Sequence, residues 1–232
     1  GAPPNLEDMT FEVETVLKNY STTTNGSVID KQGVEFAYSS KRFKDINTRV
    51  TLNGAWFRTI YENSLPIYRT ASVMVDGDWL KEIGIYESNG GYRREQLTSN
   101  LMLDSYIPAI DLFIFASFQS SWFYKKQTTE YSGIPIAYVG LDGETHPYTE
   151  VEMTDYRLQH LCLSVSDSAF DEYLTPFSMD VNLKMSKKFG DMLNVSLYVN
   201  RILSLYPDYV SNGVTIKRNV TPYFGAEITF KI

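Results

Sequence analysis

The chain has 232 residues, 43% apolar and 14% aromatic, with 17 Tyr, 13 Phe and a formal net charge of −7. That balance excludes a nucleic-acid binder, which needs basic surface to neutralise phosphates, and a single cysteine, Cys162, excludes an internal disulfide framework or a multi-cysteine zinc site. No run of about 18 apolar residues is present to form a transmembrane helix, but strands that cross a membrane alternate in polarity and leave no such run.

The chain opens on Gly1, and residues 1–8 are expected to be an N-terminal extension or cloning remnant ahead of one β-barrel domain over 9–232. Strands are expected at about 9–20, around Phe11 and Val13, and at 33–43, where Val34, Phe36 and Tyr38 alternate with other residues. The next, 47–61, carries Val50, Leu52 and Trp56, and 92–106 carries Leu97, Leu101 and Leu103. Segment 111–126 is apolar on both faces around Phe113, Ile114 and Phe115, which leaves its orientation open.

The clearest alternation sets Phe177, Met179, Val181, Leu183 and Met185 against Ser178, Asp180, Asn182, Lys184 and Ser186. A helix would scatter those apolar residues around its circumference. Leu193, Val195, Leu197 and Val199 then alternate with Asn194, Ser196, Tyr198 and Asn200. The last strand sets Phe224, Ala226, Ile228, Phe230 and Ile232 against Tyr223, Gly225, Glu227, Thr229 and Lys231. The reading is an all-β chain: an antiparallel meander of about eight long strands forming a β-barrel or partial barrel.

Short turns are expected near 44–46, 107–110 and 187–191, and long connections near 21–32, 62–91, 127–174 and 205–220. Short turns on one rim and long loops on the other is the membrane-barrel arrangement, and an even strand count would put both termini on the short-turn rim. Within the long connections, Ala71–Val75 should turn at Asp76-Gly77 with Lys81–Tyr86 as its partner. A second hairpin is expected where Ser132–Val139 meets Asp142-Gly143. Trp56, Phe57 and Tyr61, then Trp122, Phe123 and Tyr124, cluster where strands meet long loops. Such rings either sit at a headgroup layer or cap a soluble β-core.

The polar residues Asp180, Asn182, Lys184, Asn194, Asn200 and Glu227 would line a watery lumen, contact a plug, or form an ordinary solvated sheet face. In the longest loop, Tyr131, Tyr138, Tyr148, Tyr156 and Arg157 are candidate ligand contacts, because aromatic faces stack on sugars and charged groups bind their hydroxyls. No catalytic residue, metal site or cofactor is expected. Glu12 with Glu14, and Glu150 with Glu152, share a strand spacing, but no nucleophile or base accompanies them. His146 and His160 read as solvated loop residues and Cys162 as a small core or loop hydrophobe.

Several stretches resemble the C-terminal end of TonB-dependent outer-membrane receptors, and in particular the SusC-like nutrient transporters. They are Gly33-Val34-Glu35-Phe36, Leu52-Asn53-Gly54-Ala55-Trp56-Phe57 and Val199-Asn200-Arg201-Ile202-Leu203. Pro207-Asp208-Tyr209, Asn212-Gly213-Val214-Thr215-Ile216 and Pro222-Tyr223-Phe224-Gly225-Ala226-Glu227-Ile228 complete the set. The resemblance implies a bacterial outer-membrane location with the C-terminus on the periplasmic side, and a parent barrel of about 22 strands around a plug. It also implies membrane lipids, a SusD-like surface lipoprotein lid and the TonB system as partners, and an oligosaccharide or peptide nutrient as cargo. This chain carries no plug and no TonB-contacting segment, so plug features cannot be placed on any of its residues.

Two unpaired edges would remain, on the first and last strands. Either they meet in a closed eight-stranded barrel or the parent sheet is interrupted there, and the apolar face points either outward or inward. The alternatives to a receptor wall are a self-contained eight-stranded ligand-binding or surface-interaction barrel, and a β-sandwich.

Overall fold

The computed structural model describes residues 14–18, 20–88, 90–211 and 213–230. In chain order the strands are β1 (Ser27–Ser39), β2 (Thr48–Asn63), β3 (Ile67–Thr70), β4 (Met74–Val75), β5 (Asp78–Trp79), β6 (Ile83–Tyr86), β7 (Tyr92–Ile107) and β8 (Leu112–Thr128). Then follow β9 (Ala137–Val139), β10 (Thr145–Pro147), helix α1 (Glu150–Thr154), β11 (Tyr173–Thr175), β12 (Ser178–Phe189), β13 (Leu193–Leu205), β14 (Tyr209–Ser211), β15 (Val214–Ile216) and β16 (Tyr223–Phe230). The chain divides into two compact units.

The sheet unit draws on Val28–Glu62, Gly91–Thr129 and the chain from Asp167 onward. Its sheet runs β1-β2-β7-β8-β12-β13-β16, with β11 also paired to β8, eight strands in meander order. All the registers given between its neighbours are antiparallel. No proline interrupts these strands, so every ladder position keeps its N–H. The short turns tie to one another: Lys187 Nζ donates to the Ile110 carbonyl at 3.0 Å, and Arg42 bridges the Asn47 carbonyl (2.6 Å) and the Asp104 carboxylate (3.0 Å).

The structure departs from the sequence reading in four places and decides one alternative it left open. Residues 14–18 and 20 form no strand, while Phe11 and Val13 lie outside the described residues. The first wall strand starts at Ser27, because the polar stretch before Gly33 pairs along β2 despite its weak strand composition. The wall therefore has seven long strands and the short β11, so β1 begins at the long-connection rim and β16 ends at the short-turn rim. Of the two outcomes left open, closure or an interrupted sheet, the second holds: among the described residues β1 and β16 are the two ends and do not pair with each other. Finally, the turn at Asp76-Gly77, both at positive φ (55° and 91°), is closed by β4 and β5, while β6 pairs with β3 and β9.

The loop unit is assembled from the residues up to Ser27, Asn63–Gly90 and Glu130–Ser166. Its four-stranded sheet has the order β10-β9-β6-β3. β6 is central and buried at all four positions, as its composition Ile83-Gly84-Ile85-Tyr86 requires. Leu80, Tyr148 and Leu161 form a core against which Tyr138, Met153, Leu158 and Cys162 pack, so Cys162 is a core rather than a loop hydrophobe. Glu150 and Glu152 lie on α1 rather than on a strand: Thr149 and Glu152 form a reciprocal capping box, a local signal that overrides strand spacing.

Candidate functional site

Pairing registers assign the paired side chains of β2, β7, β8, β12, β13 and β16 to a face. Val50, Leu52 and Trp56 on β2 share theirs with Leu103, Leu101 and Leu97 on β7. The same face continues through Ala116 and Phe118, Val181 and Leu183, Leu203 and Val199, and ends on Phe224, Ala226 and Ile228. Phe36 of β1 joins it, because its ring occupies the space where a Gly54 side chain would stand. This apolar face is exposed on the outer strands, where Phe224 is 73% exposed, Leu203 67% and Val34 63%, and half-buried across the central strands, with Val181 at 8%.

The opposite face is polar, and it is where the buried small residues lie: Ser196 is 2% exposed, Ser117 5% and Ser178 8%. Asn53, Asn100, Gln119, Asp180 and Ser204 are register partners in turn, so their side chains form one row across five strands. A groove of about 670 Å³ follows this row, lined by Glu35, Asn53, Asn100, Gln119, Asp180 and Tyr206. A second cavity of about 370 Å³ lies on the same face, lined by Ser117, Asn182, Lys184, Tyr198 and Asn200. Both cavities lie on this face, and it is termed the concave face on that basis.

All six polar residues singled out by alternation, Asp180, Asn182, Lys184, Asn194, Asn200 and Glu227, lie on this concave face. Asp180 accepts hydrogen bonds from Ser204 Oγ (2.7 Å) and Tyr206 Oη (2.8 Å), and Arg201 Nε lies 3.4 Å from it. Lys184 Nζ lies 3.4 Å from Glu227, and Asn182 Nδ2 donates to Ser117 Oγ at 3.2 Å. Asn100 and Asn194 each keep a buried side-chain oxygen without a protein partner.

One bulge shapes the site. Val181 pairs with Leu203 but Leu183 pairs with Val199, so two steps along β12 face four along β13. Arg201 takes φ +58° there, and its N–H donates to Asn182 Oδ1 at 2.9 Å. Uninterrupted alternation would aim Arg201 with Val199 and Leu203 at the apolar face; the bulge turns it to Asp180 instead. Sequence reasoning missed Arg201 for that reason. It also missed Asn53, Asn100 and Gln119, although their alternation with apolar neighbours was the available signal.

At the long-connection rim the concave face carries a run of tyrosines. Tyr61 stacks on Tyr92 at 5.3 Å, Tyr124 meets Tyr173 edge-on at 6.3 Å, and the Tyr173 and Tyr209 hydroxyls are 2.5 Å apart. The apolar face carries Trp56, Trp122 and Phe123 nearer the middle of β2 and β8, with Trp122 against Phe177 at 5.2 Å and its Nε1 donating to Ser99 Oγ at 2.8 Å. Both predicted aromatic clusters therefore divide between the two faces.

The loop candidates have different fates. Tyr138 and Arg157 line a cavity of about 360 Å³ with Glu82, Asp142, His146 and Asp155. His146 stacks on Tyr138 at 5.2 Å and bonds Asp142 at 2.9 Å, and Arg157 lies 3.7 Å from Glu82. The backbone N–H of Glu144, helped by His146, holds the Asp142 carboxyl below the usual range, and the N–H groups of Leu158 and Arg157 do the same for Asp155. These carboxylates are thus engaged in building the loop. Tyr148 is buried and donates to the Leu158 carbonyl at 2.9 Å, and burial pushes its phenol well above its ordinary value. It offers no surface to a ligand. Tyr156 is exposed, Tyr131 is half-buried, and neither lines that cavity. His160 is exposed, as expected of a loop residue.

Among the described residues no three His, Cys, Asp or Glu side chains are grouped to hold a metal ion. Compared with family models, curated proteins and solved structures, the chain matches none.

Proposed function

We propose that this chain is a wall segment of a bacterial outer-membrane receptor barrel, of the nutrient-importing type that its strands resemble, with its C-terminus on the periplasmic side. One observation carries the reading: burial in the sheet unit is inverted. Serines are buried on the concave face, while the apolar face on the other side leaves large side chains such as Leu197, Leu203, Phe224 and Ile228 exposed. In water such a face costs about 25 cal/mol for each Å² left uncovered, whereas hydrocarbon reverses the sign. Trp56 and Trp122 bound the apolar stretch of that face, with Arg58, Glu95 and Lys125 beyond them toward the long connections, which suits the headgroup layer, and long connections on the opposite rim from short turns suit the outer surface. The loop unit, with its own apolar core, has the composition of a water-exposed head.

In this reading the concave row faces the lumen and meets a plug or the passing nutrient, an oligosaccharide or peptide. The open edges at β1 and β16 are where further wall strands of the parent receptor pair. The TonB system and a SusD-like lipoprotein lid would act through that parent. Wall and surface loops, rather than catalysis, are the role assigned to these residues.

The test is the orientation of the two faces in a bilayer. Nitroxide labels at Leu197→Cys and Ile228→Cys should relax with dissolved oxygen and be shielded from a water-soluble nickel chelate. Labels at Asn100→Cys and Gln119→Cys should show the reverse. Nickel access to all four positions, or a chain that stays folded and monomeric in detergent-free buffer, would overturn the proposal.

A further inference from the structure

The connection between β13 and β16, residues 206–222, contains the β14–β15 hairpin, which forms a separate two-stranded sheet with no ladder to the wall. Among the described residues, side-chain contacts hold it. Tyr206, at the groove, donates to Asp180, whose side chain is only 14% exposed. The Arg218 guanidinium lies 4.9 Å from the Tyr206 ring centre and 5.2 Å from that of Tyr209, and its Nη2 donates to the Pro207 carbonyl at 3.1 Å. Tyr209 in turn bonds Tyr173. Tyr173 pairs with Lys126 two positions along from Tyr124, and both belong to the concave face. The two ends of the connection are thus pinned together on the concave side, over the tyrosine-lined mouth.

We propose that residues 206–222 form a strap that limits access to the concave groove, with Asp180 as its catch and Arg218 as the pin closing its base. A cation between two rings is a strong but compact fastening, and no backbone ladder must break for the strap to swing clear. The Arg218 Nε is buried without a protein partner, so the closed form leaves a donor unmet and opening is correspondingly easy. Arg201, brought to Asp180 by the bulge, keeps that carboxylate compensated when Tyr206 leaves. The strap depends only on the curvature of the wall, so it goes beyond the membrane reading and is tested separately from it.

The experiment measures alkylation rates in the full chain with Cys162→Ala. One reporter, Gln119→Cys, lines the groove and also borders the second cavity, and the other, Lys184→Cys, lines the second cavity only. Each reacts with a small methanethiosulfonate and with a bulky polymer-tethered maleimide. Arg218→Ala should speed the bulky reagent at Gln119→Cys by about fivefold or more, change the small one less than about twofold, and leave Lys184→Cys unaltered. Tyr206→Phe, which keeps the ring but loses the catch, should give a smaller rise of the same kind, and it carries the test should Arg218→Ala not assemble. An unchanged bulky rate at Gln119→Cys, or equal acceleration at both reporters, overturns the strap.

Discussion

Tyr86 and Tyr148 illustrate how a single hydroxyl decides whether a tyrosine builds the fold or faces a ligand. Each is buried in the loop unit and donates to a carbonyl of the Leu158–Leu161 turn, Tyr86 to Leu161 at 2.5 Å and Tyr148 to Leu158 at 2.9 Å. Removing one such donor strands a buried carbonyl, at a cost of about 1–3 kcal/mol. Tyr86→Phe should therefore lower the denaturation midpoint of the loop unit, while Tyr156→Phe, on an exposed side chain, should leave it within error. Equal effects in urea melts followed by hydrogen exchange of 158–163 would contradict this. In sequence the two tyrosines look alike, since neither shows which carbonyl stands opposite; that partner arrives from 75 residues away for Tyr86.

At the scale of elements, alternation was a faithful guide wherever one face is apolar and the other polar. Met179 to Met185 and Leu193 to Val199 lie in strands with the faces their pattern predicts. Segment 111–126 was ambiguous because both faces carry rings, and only its neighbours orient it: Ile114 and Phe118 pair toward the apolar face, while Phe113 stacks on Tyr106 at 4.4 Å on the other. β1 depends on one glycine. A side chain at Gly54 would start 2.6 Å from the Phe36 ring and 2.8 Å from the Thr98 carbonyl. The ring can rotate away but the carbonyl is fixed in the β2–β7 ladder. Gly54→Val should cost about 1–3 kcal/mol by overpacking and raise hydrogen exchange in Ser27–Ser39 before the central strands. Unchanged exchange in β1 would show that Phe36 does not anchor it.

At the scale of the whole chain, the two units meet opposite physical demands. The loop unit is organised by hydrogen-bonded carboxylates. Glu152 is held below its ordinary 4.5 by the Thr149 hydroxyl and then the Thr149 N–H, and Asp142 and Asp155 below 3.8 by backbone donors. A carboxyl depressed in the folded state stabilises fully above its ordinary value and loses that contribution as pH falls through the folded one. Exchange protection over 140–161, corrected for intrinsic rates, should therefore hold from about pH 7 to pH 5 and decline below about pH 4. A decline already present between pH 7 and pH 5 would implicate other groups. The sheet unit obeys a different rule, because its apolar face leaves large side chains such as Leu203 and Phe224 exposed. Strand class, meander order, the asymmetry of the connections and the shared face of Asp180, Asn182, Lys184, Asn194, Asn200 and Glu227 all follow from the sequence alone, since a period of two residues is a local property. Which face is concave, the open edges, the assembly of the long connections into a unit with its own core, and the turning of Arg201 toward Asp180 were decided only in three dimensions. Curvature, closure and bulge position depend on how distant strands register against one another, and no local pattern encodes that.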